Sequence, residues 1–207
     1  MKTLTTGDIL LCSGNSSLSN SIKRYQKITT KGRNLGKAVN LSHVAGIIQD
    51  WDGQPWVYES TTHNKWAADG AGKKGTQINP FDEWLKNYDG DVWCRKFNGV
   101  IVDQQTFIWH AIQSQAIPYE NGIPGKVELL LTELEWKWLN EIHRITKQPH
   151  CTEAWAMMLM QPSAGVLSAK TVPSKLPPCE WWGNGKLEAL LVEGYSYSEP
   201  RLIKEGE

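Results

Sequence analysis

The sequence predicts an α+β fold, because strand-like and helix-like segments follow one another in mixed order along 207 residues. Short apolar runs rich in Val, Ile and aromatic residues predict strands, whereas apolar residues that recur every three or four positions predict helices. No linker composition divides the chain, so we expect one domain over residues 1–207.

The predicted strands are separated by clear turn signals. The sequences DILLC, LSHVAGIIQD, WVYES, TQI and DVWCRKF indicate strands at 8–12, 41–50, 56–60, 76–78 and 91–97. The proline-rich tail adds a possible last strand at EALLVEGY, residues 188–195.

The predicted helices are marked by spacing and by capping residues. Ile22, Tyr25 and Ile28 recur at helical spacing, and NPFDEWLKNY opens with a capping residue and a proline typical of a helix start. The other helices cover Gln104 to Ala116, with an apolar face of Phe107, Ile108, Ala111, Ile112 and Ala116; a capping-box helix from Thr132; and a helix that begins at Cys151, with Ala154, Trp155, Met158 and Leu159 as its apolar face.

Composition limits the classes of binding partner and the cellular compartment that we expect. The 22 Lys and Arg residues balance 22 Asp and Glu residues, so no basic nucleic-acid footprint is indicated. The N-terminal apolar run ILLC is too short for a signal peptide or a membrane span, which favours a cytoplasmic protein with no membrane partner. Four widely spaced cysteines form no C-x-x-C pair and fit a reducing setting.

Two sequence features could suggest a bound nucleotide or metal ion, but neither has the spacing or context that such a site requires. GAGKKG, residues 70–75, matches a dinucleotide-binding pattern, but it lacks the required strand before and helix after, so a surface loop is the simpler interpretation. His63, His110, His143 and His150 show no metal-ligand spacing, and the carboxylates form no calcium loop. We therefore expect no metal and no cofactor.

Cys151, in the sequence HCTEAWA, is the first candidate for chemistry. At a helix start, unpaired N–H groups and the positive end of the helix dipole stabilise a thiolate. The alternative is a small apolar residue that packs beneath Trp155 and Met158. A nucleophilic role also requires an imidazole and a group that orients it.

His43 and Glu59 could supply both groups, provided that their strands pair in the right register. A two-residue turn at 52–53 would turn the two side chains to opposite faces. A three-residue loop with Gly53 in the left-handed conformation instead sets Glu59 opposite Ala45 and makes His43 a diagonal neighbour, roughly 7–8 Å away at the backbone. Alternatively, His43 is a core histidine and Glu59 a solvated or lysine-paired carboxylate.

With these motifs in place, the sequence resembles the NlpC-type, circularly permuted papain-like cysteine hydrolases, particularly their YiiX-like branch. The resemblance rests on GDILL, SHVAGII, VYES, DVWCRKF, IPYENG and HCTEAWA, with the histidine before the cysteine. It implies an antiparallel sheet packed against helices with the nucleophile at a helix start. It also implies Cys151 as nucleophile, His43 as base and acid, Glu59 as orienter, the Cys151 N–H as an oxyanion donor and Tyr119 as a cleft residue.

The resemblance implies acyl transfer through a thioester, with a small peptide, a cell-wall-derived peptide or another N-acyl or ester compound as substrate. Two alternatives stay open: a noncatalytic binding or structural protein that keeps the cleft, and an acyltransferase or thioesterase with the same triad. The oligomeric state is not predicted.

Overall fold

A computed structural model describes residues 3–31, 33–61, 75–114 and 150–206. Within them the chain has an α+β fold built on a six-stranded antiparallel sheet with strand order β4-β3-β2-β1-β5-β8. The sheet strands are β1 (Ile9–Gly14), β2 (His43–Gln49), β3 (Pro55–Thr61), β4 (Gly75–Pro80), β5 (Gly90–Arg95) and β8 (Arg201–Lys204), and a small second sheet pairs β6 (Phe97–Asn98) with β7 (Ser196–Tyr197).

Four α-helices lie in the described parts of the chain: α1 (Ser17–Thr29), α2 (Phe81–Asn87), α3 (Gln104–Gln113) and α4 (Cys151–Met160). Short 3₁₀ helices span Gly36–Asn40, Pro173–Lys175, Pro178–Trp181 and Leu187–Leu190. The predicted helix start at Cys151 is confirmed, and so are the five strands predicted in the first half of the chain.

The hairpin between β2 and β3 has the register that the glycine predicts. Gly46 pairs with Tyr58 and Gln49 pairs with Pro55, and Gly53 has φ +75° in the loop. The Asp50 N–H donates to the Gln54 carbonyl at 3.0 Å and closes that loop. Because side chains alternate along a strand, this register turns His43 and Glu59 to the same face of the sheet.

Each face of the sheet has its own apolar cluster. On one face, α3 and α4 pack Phe107, Trp155 and Leu159 against strand residues such as Leu11 and Val44. On the other face, α2 packs Phe81 and Trp84 against a smaller set: Leu10, Cys12, Ala45, Ile47, Val57, Val92 and Cys94. His43 and Glu59 belong by alternation to this second face.

The C-terminal segment is held to the sheet by Arg95, which is 1% exposed. Its guanidinium donates to the carbonyls of Ser198 and Trp181, both at 2.8 Å, and pairs with Glu188. The possible strand at 188–195 is wrong, since a 3₁₀ helix covers Leu187–Leu190 and the late strands are β7 and β8. These contacts with Arg95 hold the tail in a path that apolar patterning alone does not predict.

Two helix surfaces also differ from the prediction. Ile28 of α1 is 66% exposed, contrary to the predicted apolar spacing. Gln26 is buried instead, because the Gln26 side chain donates a hydrogen bond to the Leu41 carbonyl. In α3, Phe107, Ile108 and Ala111 are buried as predicted, but Ile112 is 41% exposed. At α2, Pro80 occupies the capping position without a side-chain hydrogen bond, so the predicted capping residue Asn79 belongs to β4.

Several predictions fall outside the described residues: Tyr119, the helix from Thr132, most of the GAGKKG segment, and the histidines His63 and His143. Among the described helices, none has the length and apolar character that a membrane crossing requires.

Candidate active site

Cys151 is the first residue of α4, and the residues around it fix the helix start. His150 precedes it in an extended conformation, and its backbone N–H donates to Glu153 Oε2 at 3.4 Å. Ala154, Trp155, Met158 and Leu159 form the buried apolar face, as predicted. Cys151 itself is 6% exposed, so its sulfur is largely shielded from water at the positive end of the helix.

The approach of α4 to the sheet depends on Gly46. A Cβ atom on Gly46 would lie 2.2 Å from the Trp155 ring, which is closer than real side chains come. The indole therefore lies directly on the β2 backbone, with the rings of Tyr58 and Phe107 at 5.8 and 5.9 Å. This contact sets α4 close enough to β2 for its first residue to reach the beginning of the strand.

The structure brings His43 and Glu59 into direct contact. His43 Nε2 lies 2.7 Å from Glu59 Oε2, and the two side chains are 13% and 2% exposed. The ring therefore has a carboxylate partner, which excludes the interpretation of His43 as a core histidine held by a backbone group. Likewise Glu59 is neither solvated nor paired with a lysine among the described residues.

Glu59 is held in turn by two donors that were not predicted from the sequence. Trp84 Nε1 on α2 donates to Glu59 Oε1 at 3.0 Å, and Gln77 Nε2 on β4 donates to the same oxygen at 3.2 Å. Gln77 is the direct cross-strand partner of Glu59. A prediction of the β3–β4 register would therefore have identified Gln77 as a contact of Glu59. These contacts leave Oε2 directed at the imidazole.

The Cys151 sulfur completes the group, with hydrogen bonds to the His43 ring and to the backbone N–H groups of Val44 and Thr152. Because Glu59 occupies Nε2, the sulfur contact belongs to Nδ1. Burial alone would raise the pKa of Cys151, but the charge and hydrogen bond of His43, together with the two N–H groups, lower that pKa below its ordinary value.

The histidine shifts in the complementary direction. Burial lowers the pKa of His43, but the negative charge and hydrogen bond of Cys151, followed by those of Glu59, raise it to about 10. A depressed thiol pKa and an elevated imidazole pKa together favour a thiolate–imidazolium pair near neutral pH. Such a pair holds a nucleophile and a proton donor side by side.

A second polar pair, Cys12 and Tyr88, lies next to this group. Cys12 is the cross-strand partner of His43 and is fully buried, and its thiol hydrogen-bonds the Tyr88 hydroxyl. Burial, followed by the negative charges of Glu59 and Cys151, raises the pKa of Cys12 well above its ordinary value. Cys12 therefore stays a neutral thiol while Cys151 favours the thiolate.

Among the described residues, no group of three or more His, Cys, Asp or Glu side chains lies close enough to hold a metal ion. All four cysteines are free thiols. The candidate site thus consists of Cys151, His43 and Glu59, with Trp84 and Gln77 behind the carboxylate. His110 lies elsewhere, 3.5 Å from the Ser163 hydroxyl.

Comparison with known proteins adds no family to this geometry: a scan against protein-family models finds no match, and a search of curated proteins finds no similar sequence.

Proposed function

We propose that the protein is a cysteine hydrolase of the peptidase or amidase type, with a circularly permuted papain-like fold. The observation that supports this most strongly is the chain of contacts from the Cys151 sulfur through the His43 ring to the buried Glu59 carboxylate. The three residues take the roles of nucleophile, acid–base and orienting carboxylate that acyl transfer requires.

In the proposed acylation step, the Cys151 thiolate attacks the carbonyl carbon of an amide or ester. The carbonyl electrons move to oxygen, where the backbone N–H of Cys151 is the expected oxyanion donor, because the first N–H groups of a helix have no intrahelical partner. His43 then gives its proton to the leaving amine or alcohol as the carbon–heteroatom bond breaks. A thioester on Cys151 and a neutral imidazole result.

In the proposed deacylation step, neutral His43 takes a proton from water as the water oxygen attacks the thioester carbonyl. The carbon–sulfur bond breaks, a carboxylic acid leaves, and the thiolate–imidazolium pair is restored. The Glu59 carboxylate holds the ring so that Nδ1 faces the sulfur. Trp84 and Gln77 keep that carboxylate in place.

The fold part of the proposal rests on chain order and architecture. His43 and Glu59 come from neighbouring early strands and Cys151 from the start of a late helix that packs on the same sheet. In an ordinary papain-like enzyme the cysteine helix comes first, so this order corresponds to a permuted arrangement. The proposed substrates are small peptides, cell-wall-derived or otherwise, and other N-acyl or ester compounds.

The proposal is tested by following acyl transfer with p-nitrophenyl acetate and with a panel of peptide amides. We expect a burst of nitrophenol, an acetyl group located on Cys151 by peptide mass spectrometry, and continued turnover as water releases acetate. Cys151→Ser should remove the burst and the turnover, whereas the matched buried-thiol variant Cys179→Ser should keep both.

Acetylation of Cys151 without turnover would contradict hydrolysis and would favour the noncatalytic binding protein. Release of the acyl group only when an alcohol or amine is added would instead identify an acyltransferase. Equal loss of activity in Cys151→Ser and Cys179→Ser would show that the substitutions damage the fold rather than the chemistry.

A further inference from the structure

One stretch of this neutral protein carries a net positive charge because it contains no acidic residue. Residues 9–49 contain no Asp or Glu, but they contain Lys23, Arg24, Lys27, Lys31, Arg33 and Lys37. The remainder of the chain therefore carries the balancing negative charge. Such an uneven distribution produces a local field even when the net charge is zero.

The fold places most of these cations on the outer surface of α1 and just beyond its end. Arg24, Lys27 and Lys31 are exposed. Arg24 and Lys27 lie on one side of α1, and Lys31 follows in the turn that its N–H closes on the Ile28 carbonyl at 3.3 Å. Within residues 3–31, 33–61, 75–114 and 150–206, no carboxylate lies within ion-pair distance of these three side chains. We call Arg24, Lys27, Ile28 and Lys31 the α1 surface.

Like charges on this helix oppose one another. Lys23 and Lys27 are four residues apart in α1, a spacing at which equal charges destabilise a helix, and Lys31 follows four residues later, beyond the helix end at Thr29. Burial lowers the pKa of Lys23, and the charge of Lys27 lowers it further against the opposing effect of Asp91. An anionic partner would relieve this repulsion on binding.

Ile28 distinguishes between kinds of anionic partner. It is 66% exposed and lies among the three cations, so the α1 surface has an apolar centre with a charged rim. A nucleic acid backbone would leave the isoleucine unused, and a helix that enters a bilayer presents a row of large apolar side chains rather than one. An acidic polypeptide with an apolar anchor matches both the charges and the isoleucine.

The opposite side of the same helix contacts the loop that leads into the candidate site. Gln26 is 1% exposed, and its side chain donates to the Leu41 carbonyl at 2.6 Å and accepts from the Cys179 N–H at 2.8 Å. Leu41 is two residues before His43. A partner on the α1 surface would therefore lie against the element that supports the loop leading into the candidate site.

We propose that the α1 surface binds an acidic segment of another polypeptide, with Arg24, Lys27 and Lys31 pairing its carboxylates and Ile28 contacting an apolar side chain. This surface is separate from Cys151, His43 and Glu59, so the proposal does not depend on the proposed hydrolase activity.

The test uses the full chain and four fluorescent or vesicle probes: a Glu-rich peptide with one central leucine, the same peptide with serine in place of that leucine, a DNA duplex, and phosphatidylcholine vesicles containing phosphatidylserine. We expect the leucine peptide to bind most tightly and its affinity to fall steeply with salt, as contacts between exposed charges do. Ile28→Ser should remove the advantage of leucine over serine.

A matched pair of triple variants locates the surface. Arg24→Glu, Lys27→Glu and Lys31→Glu combined should lower the affinity for the leucine peptide about tenfold. Each exposed ion pair changes the affinity about two- to threefold, and the three effects multiply. Lys86→Glu, Lys170→Glu and Arg201→Glu combined make the same change in net charge at exposed sites elsewhere.

Equal weakening by both triple variants would overturn the proposal, because net charge alone would then control binding. Preferential binding of the duplex or of the anionic vesicles would overturn it in favour of that other class of partner. Absence of peptide binding, with native circular dichroism and thermal unfolding retained, would also overturn it.

Discussion

Cys151 and Cys12 are both buried thiols next to His43, yet their pKa values shift in opposite directions. Cys151 lies at a helix start and accepts hydrogen bonds from the imidazole and from two backbone N–H groups. Cys12 lies in the middle of the sheet, where its partner is the Tyr88 hydroxyl and its charged neighbours are Glu59 and Cys151. Burial raises the pKa of both thiols, so the difference comes from their neighbours: the charge of His43 and the N–H donors lower the pKa of Cys151, whereas the negative charges of Glu59 and Cys151 raise that of Cys12.

The comparison shows that closeness to a histidine is insufficient to activate a cysteine. Cys12 is directly opposite His43 in the β1–β2 pair, but the ring nitrogens are taken by Glu59 and by Cys151. What distinguishes Cys151 is the charge and hydrogen bond of His43, to which its position at the N-terminus of α4 adds backbone donors. Its reactivity should therefore fail in steps as each supporting group is removed.

The largest effect is expected for His43→Ala, which removes the main donor to the Cys151 sulfur and leaves burial to raise its pKa. Iodoacetamide labelling of Cys151 at neutral pH should fall roughly 100-fold, since each unit of thiol pKa changes the thiolate fraction about tenfold. Peptide-resolved mass spectrometry measures the rate. The matched variant His110→Ala should label at the native rate, and a similar fall there would count against a specific role for His43.

A smaller effect is expected for Glu59→Gln, which keeps the size of the side chain but removes the charge beside the imidazole. The imidazolium is then less stable, so labelling of Cys151 at neutral pH should fall by about tenfold. Glu180→Gln provides the control, because Glu180 is equally buried and pairs with Arg33. If both variants lose stability and neither changes the labelling rate selectively, Glu59 is structural.

Trp84→Phe should have a modest effect, because it removes one N–H donor to Glu59 and leaves the second from Gln77. A single hydrogen bond to a charged group contributes about 1.5–3 kcal/mol at most. Only part of this free energy affects the thiolate of Cys151, because it acts through Glu59 and His43, so we expect the labelling rate to fall about fivefold. Trp181→Phe removes a comparable buried bond, from Nε1 to the Leu176 carbonyl at 3.1 Å. Equal pH profiles for the two variants would exclude a positioning role for Trp84.

The smallest effect is expected for Cys12→Ser, which changes the buried thiol without touching the donors of Cys151. The labelling rate of Cys151 should stay within about twofold of the native value, even if the hydroxyl changes the unfolding free energy by about 1 kcal/mol. Cys94→Ser, on the neighbouring strand, serves as the reference for stability. A selective tenfold change in Cys12→Ser would show that Cys12 takes part in the chemistry of Cys151.

Much of the candidate site follows from local signals in the sequence. Gly53 fixes the β2–β3 loop, the register follows from that loop, and the register puts His43 and Glu59 on one face. The apolar spacing after Cys151 predicts where α4 begins. These features depend on short stretches of chain, so patterning and turn chemistry are sufficient to find them.

The remaining features depend on contacts between distant segments. In the sequence, Trp84 resembles any other apolar residue of α2. Its N–H reaches Glu59 because α2 packs on the sheet. Gly46 lets Trp155 lie on β2, and the Val44 N–H of that strand donates to the sulfur. The tail follows polar contacts with Arg95 rather than an alternating strand pattern, which explains the wrong strand prediction at 188–195.

The most direct test of the central claim is the pH dependence of iodoacetamide labelling at Cys151 in the native protein and in the urea-unfolded chain. Labelling of the unfolded chain should follow an ordinary thiol pKa of about 8.5. In the native protein, the reactive thiolate should persist to clearly lower pH and be lost only as the pH falls through the depressed pKa. A native profile that coincides with the unfolded one, or lies at higher pH, would contradict a thiolate held by His43.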